Sequence, residues 1–501
     1  MTFLKNLYAT LVIAHSNFTA SFGSLISFLL FAFIAVIFAV GIIRTILAGR
    51  HLKRSSPLRR YTPDPDLTAH ACESLSEAIR IPTVSGDSDG LERFREYLKT
   101  RYADVFEKLN FVPSGSNGSL LLKWKGPKNC DKLPIMFCGH MDTVPPGDTW
   151  EEDPFSGRTD EEGYIIGRGA IDCKNVVIGL FEAVQSLMKE GFEPSRDIYF
   201  AFGHDEEIGG KDGAAIMAET LHKRGMRFEA IIDEGGYITE EHFGRKRFPA
   251  ALIGVGEKGC SYYRLTASGK AGHSSMPPKH TSVGVLAEAI CRIEAAQPRA
   301  RLLEVIEENV KLSAPAMRFS HRFAVCNLPF SKHLLYKLFS SVPDINPYFR
   351  TTLACTQVWG SQAPNILPGK ASCMVSARIL QGDTPKSIKK YLQSLVEDLD
   401  IEVESVLEIP ASAVAATDSV PYRTICAVIE EKYPGLICIP GIQSITTDSR
   451  HYEPVCDNIF KFMPFVMTSD IYDKMHNAGE KIHQSCLGLG VEFYKSLIKS
   501  F

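Results

Sequence analysis

The residues of this 501-residue chain best suited to chemistry are His140, Asp172, the adjacent pair Glu206-Glu207, Asp233 and, far downstream, His476. Nearly all follow a short apolar run bounded by glycine. Such runs read as buried strands, so the residues just past them lie at strand C-terminal ends. In an open α/β sheet that edge is where ligands bind. Two histidines and three carboxylates, with one carboxylate to spare, suit a pair of zinc-like divalent ions and a general base. That combination points to a hydrolase.

The first segment, Leu133–Cys138, is apolar and leads into Gly139-His140-Met141-Asp142. His140 and Asp142 are two apart and share a face of an extended backbone. His140 can therefore bind a metal while Asp142 accepts its other ring N–H, which fixes the tautomer and strengthens the ligand. In Gly167–Asn175 the glycines permit close backbone approach, and a helical pattern follows with Val177, Leu180, Phe181, Val184 and Leu187 apolar. A carboxylate at that turn, Asp172, is placed to bridge two ions. Asp205, Glu206 and Glu207 follow the run Asp197–Phe202 and repel one another unless cations sit among them. Asp233 follows Ala230-Ile231-Ile232. Alone, a carboxylate after a strand is usually a turn or cap residue. The ordered recurrence is what argues for a site.

These stretches resemble the aminoacylase/carboxypeptidase S family of di-zinc metallopeptidases, which includes succinyl-diaminopimelate desuccinylase and glutamate carboxypeptidase. The resemblance runs from Gly139-His140-Met141-Asp142-Thr143-Val144-Pro145 through Trp150, Asp153-Pro154-Phe155 and Gly157. It continues through Gly167–Lys174 and Gly203–Gly210 to Asp233-Glu234-Gly235-Gly236. It covers residues from about 70 to the C-terminus and looks closest to the carboxypeptidase S and N-acyl-amino-acid hydrolase branch. It implies that His140 and Asp233 hold one zinc, that Glu207 and a late histidine hold the other, and that Asp172 bridges them. Cobalt can stand in for zinc. Glu206 would be the base and Asp142 the residue orienting His140. Of His476 and His483, His476 keeps the family's His-to-Glu spacing in Met475–Glu480, although Asn477 and Gly479 swap the small and amide residues.

A second group lies mid-chain. Lys270-Ala271-Gly272-His273-Ser274-Ser275 resembles the family's lid histidine, and Ala363–Pro368 with Arg378 resembles its substrate contacts. His273 and Asn365 would polarise the scissile carbonyl. Arg378 would clamp a carboxylate through paired hydrogen bonds. Thr447-Asp448-Ser449-Arg450 resembles a pocket loop of the family, with Arg450 a further substrate contact.

The elements that must position these residues follow from pattern. The expected fold is α/β, a zinc-peptidase-like doubly wound sheet with an inserted α+β, ferredoxin-like lid or dimerisation domain and an N-terminal transmembrane helix. The expected divisions are a tail (1–24), a membrane helix (25–43) and a basic linker (44–68), then a catalytic domain in two stretches (69–249 and 409–501) with the lid (250–408) inserted between them. Alternation over Tyr262–Thr266, Thr352–Val358 and Ala371–Ala377 reads as half-exposed antiparallel strands. One lid helix carries Val283, Leu286, Ile290 and Ile293. The other starts behind Thr384-Pro385, a favoured cap and first-turn pair.

Leu25 to Ile43 is nineteen residues without charge, long enough to span a bilayer core as a single-pass anchor. Arg44, Arg50, Lys53, Arg54, Arg59 and Arg60 follow it and only Lys5 precedes it, which favours a cytoplasmic catalytic domain. The family resemblance favours the lumenal or extracellular side. Thirteen scattered cysteines without a CxxC suggest no disulfide framework. A net charge of −3 gives no reason to expect nucleic acid.

The reading is a membrane-anchored di-zinc hydrolase of dipeptides or N-acyl amino acids, homodimeric through its lid. The alternatives are a deacylase of another small amide and, from another class, a catalytically silent metal-binding relative.

Overall fold

The structure is a computed structural model and describes residues 27, 29–33, 35–50, 58, 61–242, 245–328, 330–343 and 345–501. Two compact units are present, one of residues 1–55 with 313–339 and one of 56–312 with 340–501.

The second unit begins with helix α1 (Pro65–Ile79), where Asp64 caps the amides of Asp66 and Leu67 and Pro65 opens the first turn. The chain is thus already packed before residue 69, with the Tyr61 N–H bonded to the Lys432 carbonyl. Strands β1 (Leu120–Trp124), β2 (Ile135–His140), β3 (Ile198–Gly203), β4 (Ala230–Asp233) and β5 (Arg245–Glu257) then build most of a sheet. Helix α2 (Lys174–Lys189) crosses between β2 and β3, and α3 (Ala214–Lys223) between β3 and β4.

A second sheet follows, with strands β6 (Gly259–Ser268), β7 (Thr352–Trp359), β8 (Lys370–Ile379) and β9 (Ile401–Ile409). Helix α4 (Ser282–Ala295) lies between β6 and β7. It is followed by α5 (Glu304–Ser313), within the stretch that lengthens this connection. Helix α6 (Pro385–Leu395) lies between β8 and β9, its first turn closed by a reciprocal Thr384–Ser387 capping box. The chain then returns to the first sheet through α7 (Val420–Lys432), β10 (Ile437–Gln443), β11 (Ile459–Lys461) and the final helix α8 (Gln484–Ser500).

The first sheet is mixed and nine-stranded, in the order Asn110–Phe111, β1, β3, β2, β4, β11, β5, β10, with Tyr237–His242 paired to β5. Strands β2, β3, β4 and β11 run parallel, so their C-terminal ends share one edge. β2 and β3 are buried throughout, as continuous apolar runs require. Helix α2 is buried nearly all round, and its polar Glu182 is satisfied by the Ser74 and Tyr102 hydroxyls.

The second sheet is antiparallel, ordered β7-β8-β6-β9, with α4 and α6 packed through Leu286, Ile293, Ile388 and Leu392 on Tyr263, Leu265 and Val375. Its βαββαβ order is that of a ferredoxin-like unit. The expected boundary at 250 falls inside β5, which carries the first sheet on to Glu257 and gives way to the second at Gly259. Val283, expected on the buried stripe of α4, is 45% exposed, because the stripe is centred on Leu286, Ala289 and Ile293.

In the first unit a helix spans Leu29–Arg50 and is long and apolar enough to cross a membrane. It packs on helix Phe319–Cys326, with the Phe38 and Phe323 rings 5.6 Å apart. The helix runs past residue 43, into the segment expected as linker. The expected tail, Leu25 and residues 51–57 and 59–60 lie outside the described residues.

Candidate active site

The shared edge of β2, β3 and β4 brings five side chains together. His140, the last residue of β2, is 1% exposed. Its Nε2 lies 2.8 Å from Asp172 Oδ1 and 3.2 Å from Glu234 Oε1. The other Asp172 oxygen lies 2.8 Å from His476 Nε2, which is 3.4 Å from Glu207 Oε2. The chain of contacts thus reads Glu234, His140, Asp172, His476, Glu207, with Asp172 at its centre. His476 takes φ 63°, a strained conformation for a non-glycine residue, which points its ring at Asp172.

Asp142 does two jobs. His140 Nδ1 is 3.0 Å from its backbone oxygen and 3.3 Å from its carboxylate. The same carboxylate accepts the backbone N–H groups of Glu206 and Glu207, each at 3.2 Å, and the Ser85 hydroxyl at 2.7 Å. Burial raises its pKa, but these hydrogen bonds, that from His140 above all, hold it below the usual carboxylate range. One side chain therefore orients the imidazole and fixes the turn bearing both glutamates. The Glu206 carboxylate stands 4.0 Å from His140 Nε2, beside the row.

Glu480 supports the centre from behind. Its carboxylate accepts the N–H groups of Gly169, Ile171 and Asp172 and receives Arg168 Nη1 at 2.6 Å. It ties the loop of Asp172 to the segment of His476.

The electrostatics call for cations. Burial, then the neighbouring Glu234, Asp448 and Asp172, push Glu206 well above the carboxylate range. Burial and the charge of Asp172 push Glu234 up to about 8, against the pull of His140. Hydrogen bonds that its ring donates to Asp172 and Glu207 raise His476 to about 10. Asp233 Oδ1 and Asp448 Oδ2 are buried without hydrogen-bond partners. A nest of acids around two imidazoles is costly unless positive charge lies among them. The donor atoms of His140, Asp172 and Glu207 lie within 4.8 Å of one another. Contacts of 2.8–3.4 Å along the row match a tetrahedron with metal–ligand bonds near 2 Å, whose edge is roughly 3.3 Å. The donor set fits two divalent ions sharing Asp172.

Asp233 is where structure and sequence reading diverge. Its Oδ2 accepts the Ser449 N–H at 2.9 Å, and Glu234 is the residue that reaches His140. The reason is strand alternation. Ile231 and Asp233 share a face, and Ile231 packs on Tyr452 and Val455, so Asp233 meets that same segment. Glu234, just past the strand, turns the other way. Asp448, in the loop that resembles a family pocket loop, also borders the site. It is buried against Gly203 and Gly210, where a Cβ on either glycine would come within 2.0 or 2.2 Å of its oxygens. Glycine spacing alone does not reveal such an approach.

The mid-chain residues divide into two groups. His273 pairs with Ile366 across a short ladder, and the Ser274 N–H bonds the Asn365 carbonyl, so His273 and Asn365 do meet. Both are exposed at the end of β6 remote from the first sheet, nine steps and roughly 30 Å along the strand. Arg378 instead lies at the near end, opposite Cys260. Arg450 lines a small cleft there with Lys258 and Pro410. Lys258 donates to the carbonyls of Pro347 and Arg350, both at 2.9 Å.

Comparison with known proteins places these observations. The model of peptidase family M20/M25/M40 matches residues 136–500. The chain is 32% identical over 437 residues to the N-fatty-acyl-amino acid synthase/hydrolase PM20D1 of Xenopus tropicalis, covering 85% of each chain. It is 27% identical over 493 residues to carboxypeptidase S of Saccharomyces cerevisiae, covering 86% of this chain and 84% of that one. The M20 family metallo-carboxypeptidase Sso-CP2 of Sulfolobus solfataricus shares the fold, with a TM-score of 0.64 at 17% identity over 86% of this chain and 98% of that chain. A match spanning most of the chain, on a fold whose strand ends gather a dinuclear donor set, establishes that this protein belongs to peptidase family M20/M25/M40 and is a metal-dependent hydrolase of its aminoacylase/carboxypeptidase S branch.

Proposed function

We propose that the protein hydrolyses the amide bond of N-acyl amino acids or dipeptides that carry a free carboxylate. The observation that carries this reading is the row Glu234–His140–Asp172–His476–Glu207 with the Glu206 carboxylate beside it. His140, Glu234 and Asp172 would hold one ion, and Glu207, His476 and Asp172 the other. Zinc suits this mix of imidazole and carboxylate, with cobalt as a substitute. Such ions, when bound, polarise a carbonyl and lower the pKa of water. Glu206 takes the proton of the attacking water and returns it to the leaving amine. Its raised proton affinity suits a carboxylate that must hold that proton between the two steps. Arg378 and Arg450, at the junction of the two sheets, supply cations for the substrate carboxylate.

His273 and Asn365 sit too far along β6 to serve the metals of their own chain in this arrangement. The second sheet, spanning Gly259–Ile409, therefore acts as a dimerisation lid that carries them to the site of a second copy. The exposed outer strand β7, with Val358 62% and Trp359 42% exposed, supports this pairing. Helix Leu29–Arg50 acts as a single-pass membrane anchor. The basic residues after it favour a cytoplasmic enzyme, whereas the relationship to carboxypeptidase S favours a lumenal one.

The test is a screen of dipeptides and N-acyl amino acids with the zinc- or cobalt-loaded protein. Chelator-sensitive release of free amino acid is expected. No turnover of either class by protein of full metal content would leave a silent metal-binding relative.

A further inference from the structure

Residues 313–339 belong to the first unit, with the apolar helix Leu29–Arg50. Their composition sets them apart from the rest of the chain. They carry Arg318, Arg322, Lys332 and Lys337 and no Asp or Glu, in a protein whose net charge is −3.

The segment folds as two short helices, Phe319–Cys326 and Lys332–Phe339. Val325, Leu335 and Phe339 are buried, and the His321 ring meets that of Phe339 edge-on at 5.1 Å. Large apolar side chains are nevertheless left outside. Phe330 is 82% exposed, Phe319 52% and Leu334 40%. Exposed cations stand beside them in the chain. Arg318 adjoins Phe319, Lys332 follows Phe330 by two residues, and Lys337 lies one helical turn from Leu334. Exposed aromatic and aliphatic groups set among unopposed cations make up the composition of a helix that lies in a membrane interface.

The segment is tied to one end of the apolar helix. The Phe323 and Phe38 rings are 5.6 Å apart, and the Asn327 amide donates to the Gly41 carbonyl and the Thr45 hydroxyl, both at 3.4 Å. Two glycines permit this approach. A Cβ on Gly41 would come within 2.8 Å of Asn327 Oδ1, and one on Gly49 would collide with Arg322 Nη1. Phe38 to Gly49 are the last turns of the helix, where the uncharged run gives way to Arg44 and Arg50. In a helix that crosses a bilayer, such a change from apolar to basic marks the headgroup boundary. Whatever packs on those turns lies at the same level.

We propose that helices Phe319–Cys326 and Lys332–Phe339, with Phe330 between them, form a second membrane contact that docks on anionic phospholipid beside the anchor. Phe319, Phe330 and Leu334 enter the boundary between headgroups and acyl chains. Arg318, Lys332 and Lys337 take the lipid phosphates. Lipid fits better than a second copy of the chain, which would set the same cations face to face. The proposal rests on the reading of Leu29–Arg50 as a membrane anchor.

The test uses full-length protein in nanodiscs and two reporters, Phe330→Trp for the surface and Phe33→Trp for the anchor. Each is read against wild type to subtract the native tryptophans. Lipids brominated on the acyl chain quench a tryptophan only on contact. Both reporters are expected to be quenched. At equal mole fraction, bromine on phosphatidylserine should quench Phe330→Trp about twofold more than bromine on phosphatidylcholine. Adding Lys332→Glu and Lys337→Glu, both at exposed positions, should abolish that excess. Quenching of Phe33→Trp without quenching of Phe330→Trp would overturn the second contact and leave the anchor standing. Quenching of neither would overturn the anchor reading and the contact together. A blue-shifted Phe330→Trp emission that bromine does not touch would put protein on this face and overturn the proposal. Equal quenching by the two lipids would overturn its claim on anionic phospholipid.

Discussion

Arg168 and Glu480 form an ion pair at 2.6 Å with both side chains at most 1% exposed. Residues 312 apart in sequence thereby lock the loop of Asp172 to the segment of His476. Glu480→Gln keeps the shape but leaves the guanidinium without its anion. Breaking one side of such a pair is expected to cost about 3–5 kcal/mol. Urea unfolding of the full-length protein measures it, and a loss below about 1 kcal/mol would show that the pair does not anchor the loop.

Glu206, Glu234 and Asp233 separate by metal content and turnover. Glu206→Gln should keep both ions and lose about a hundredfold or more in kcat. Glu234→Gln should lose about one ion per chain, whereas Asp233→Asn should retain two. Elemental analysis of the three proteins decides. Loss of an ion from Asp233→Asn with full content in Glu234→Gln would reverse the assignment.

Burial, aided by the like charge of Arg378, brings Lys258 down to about 7. Below that pH both folded and unfolded chains hold its proton, and the cost of burying the charge is constant. Between about 7 and the ordinary ~10.4 only the unfolded chain holds it, so this residue's contribution to stability rises with pH. Wild type should gain on Lys258→Met between pH 7 and 9.5, with a slope approaching ~1.4 kcal/mol per unit. A difference flat with pH would mean that Lys258 keeps its charge when folded.

The proposed lid pairing is checked by complementation. Glu206→Gln and His273→Ala, each inactive, are unfolded and refolded together. In a two-fold dimer half the molecules are mixed and each has one complete site, so activity should return to about a quarter of wild type. Proven subunit exchange without recovery would place the action of His273 within its own chain, or nowhere.

Strand ends are easy to read because apolar runs stopped by glycine leave little choice of structure, and His140, Asp172, Glu207 and His476 all come together. Alternation likewise marks β6, β7 and β8, and Thr384-Pro385 marks the start of α6. Asp233 and Glu234 are hard to tell apart in the sequence for a local reason. Two acids in succession point to opposite faces, and the chain does not say which face holds the metals until Ser449 and Tyr452 are seen to cover one of them. The expected boundary at 250 falls within β5, which is thirteen residues long and runs on to Glu257 before the second sheet begins at Gly259. Glu480 is visible only through its spacing from His476. Its partner Arg168 lies too far away in sequence for any pattern to pair them.

The order of strands in the first sheet also has a consequence during synthesis. β11 lies between β4 and β5, yet it is made about 230 residues after β4. At ~5–20 residues per second the growing chain carries an open β4 edge for roughly 10–45 s. An unpaired apolar strand is a template for wrong partners. A ribosome stalled before Ile459 should therefore hold a sticky, metal-incompetent chain, and chaperone binding should end abruptly once the last forty residues emerge.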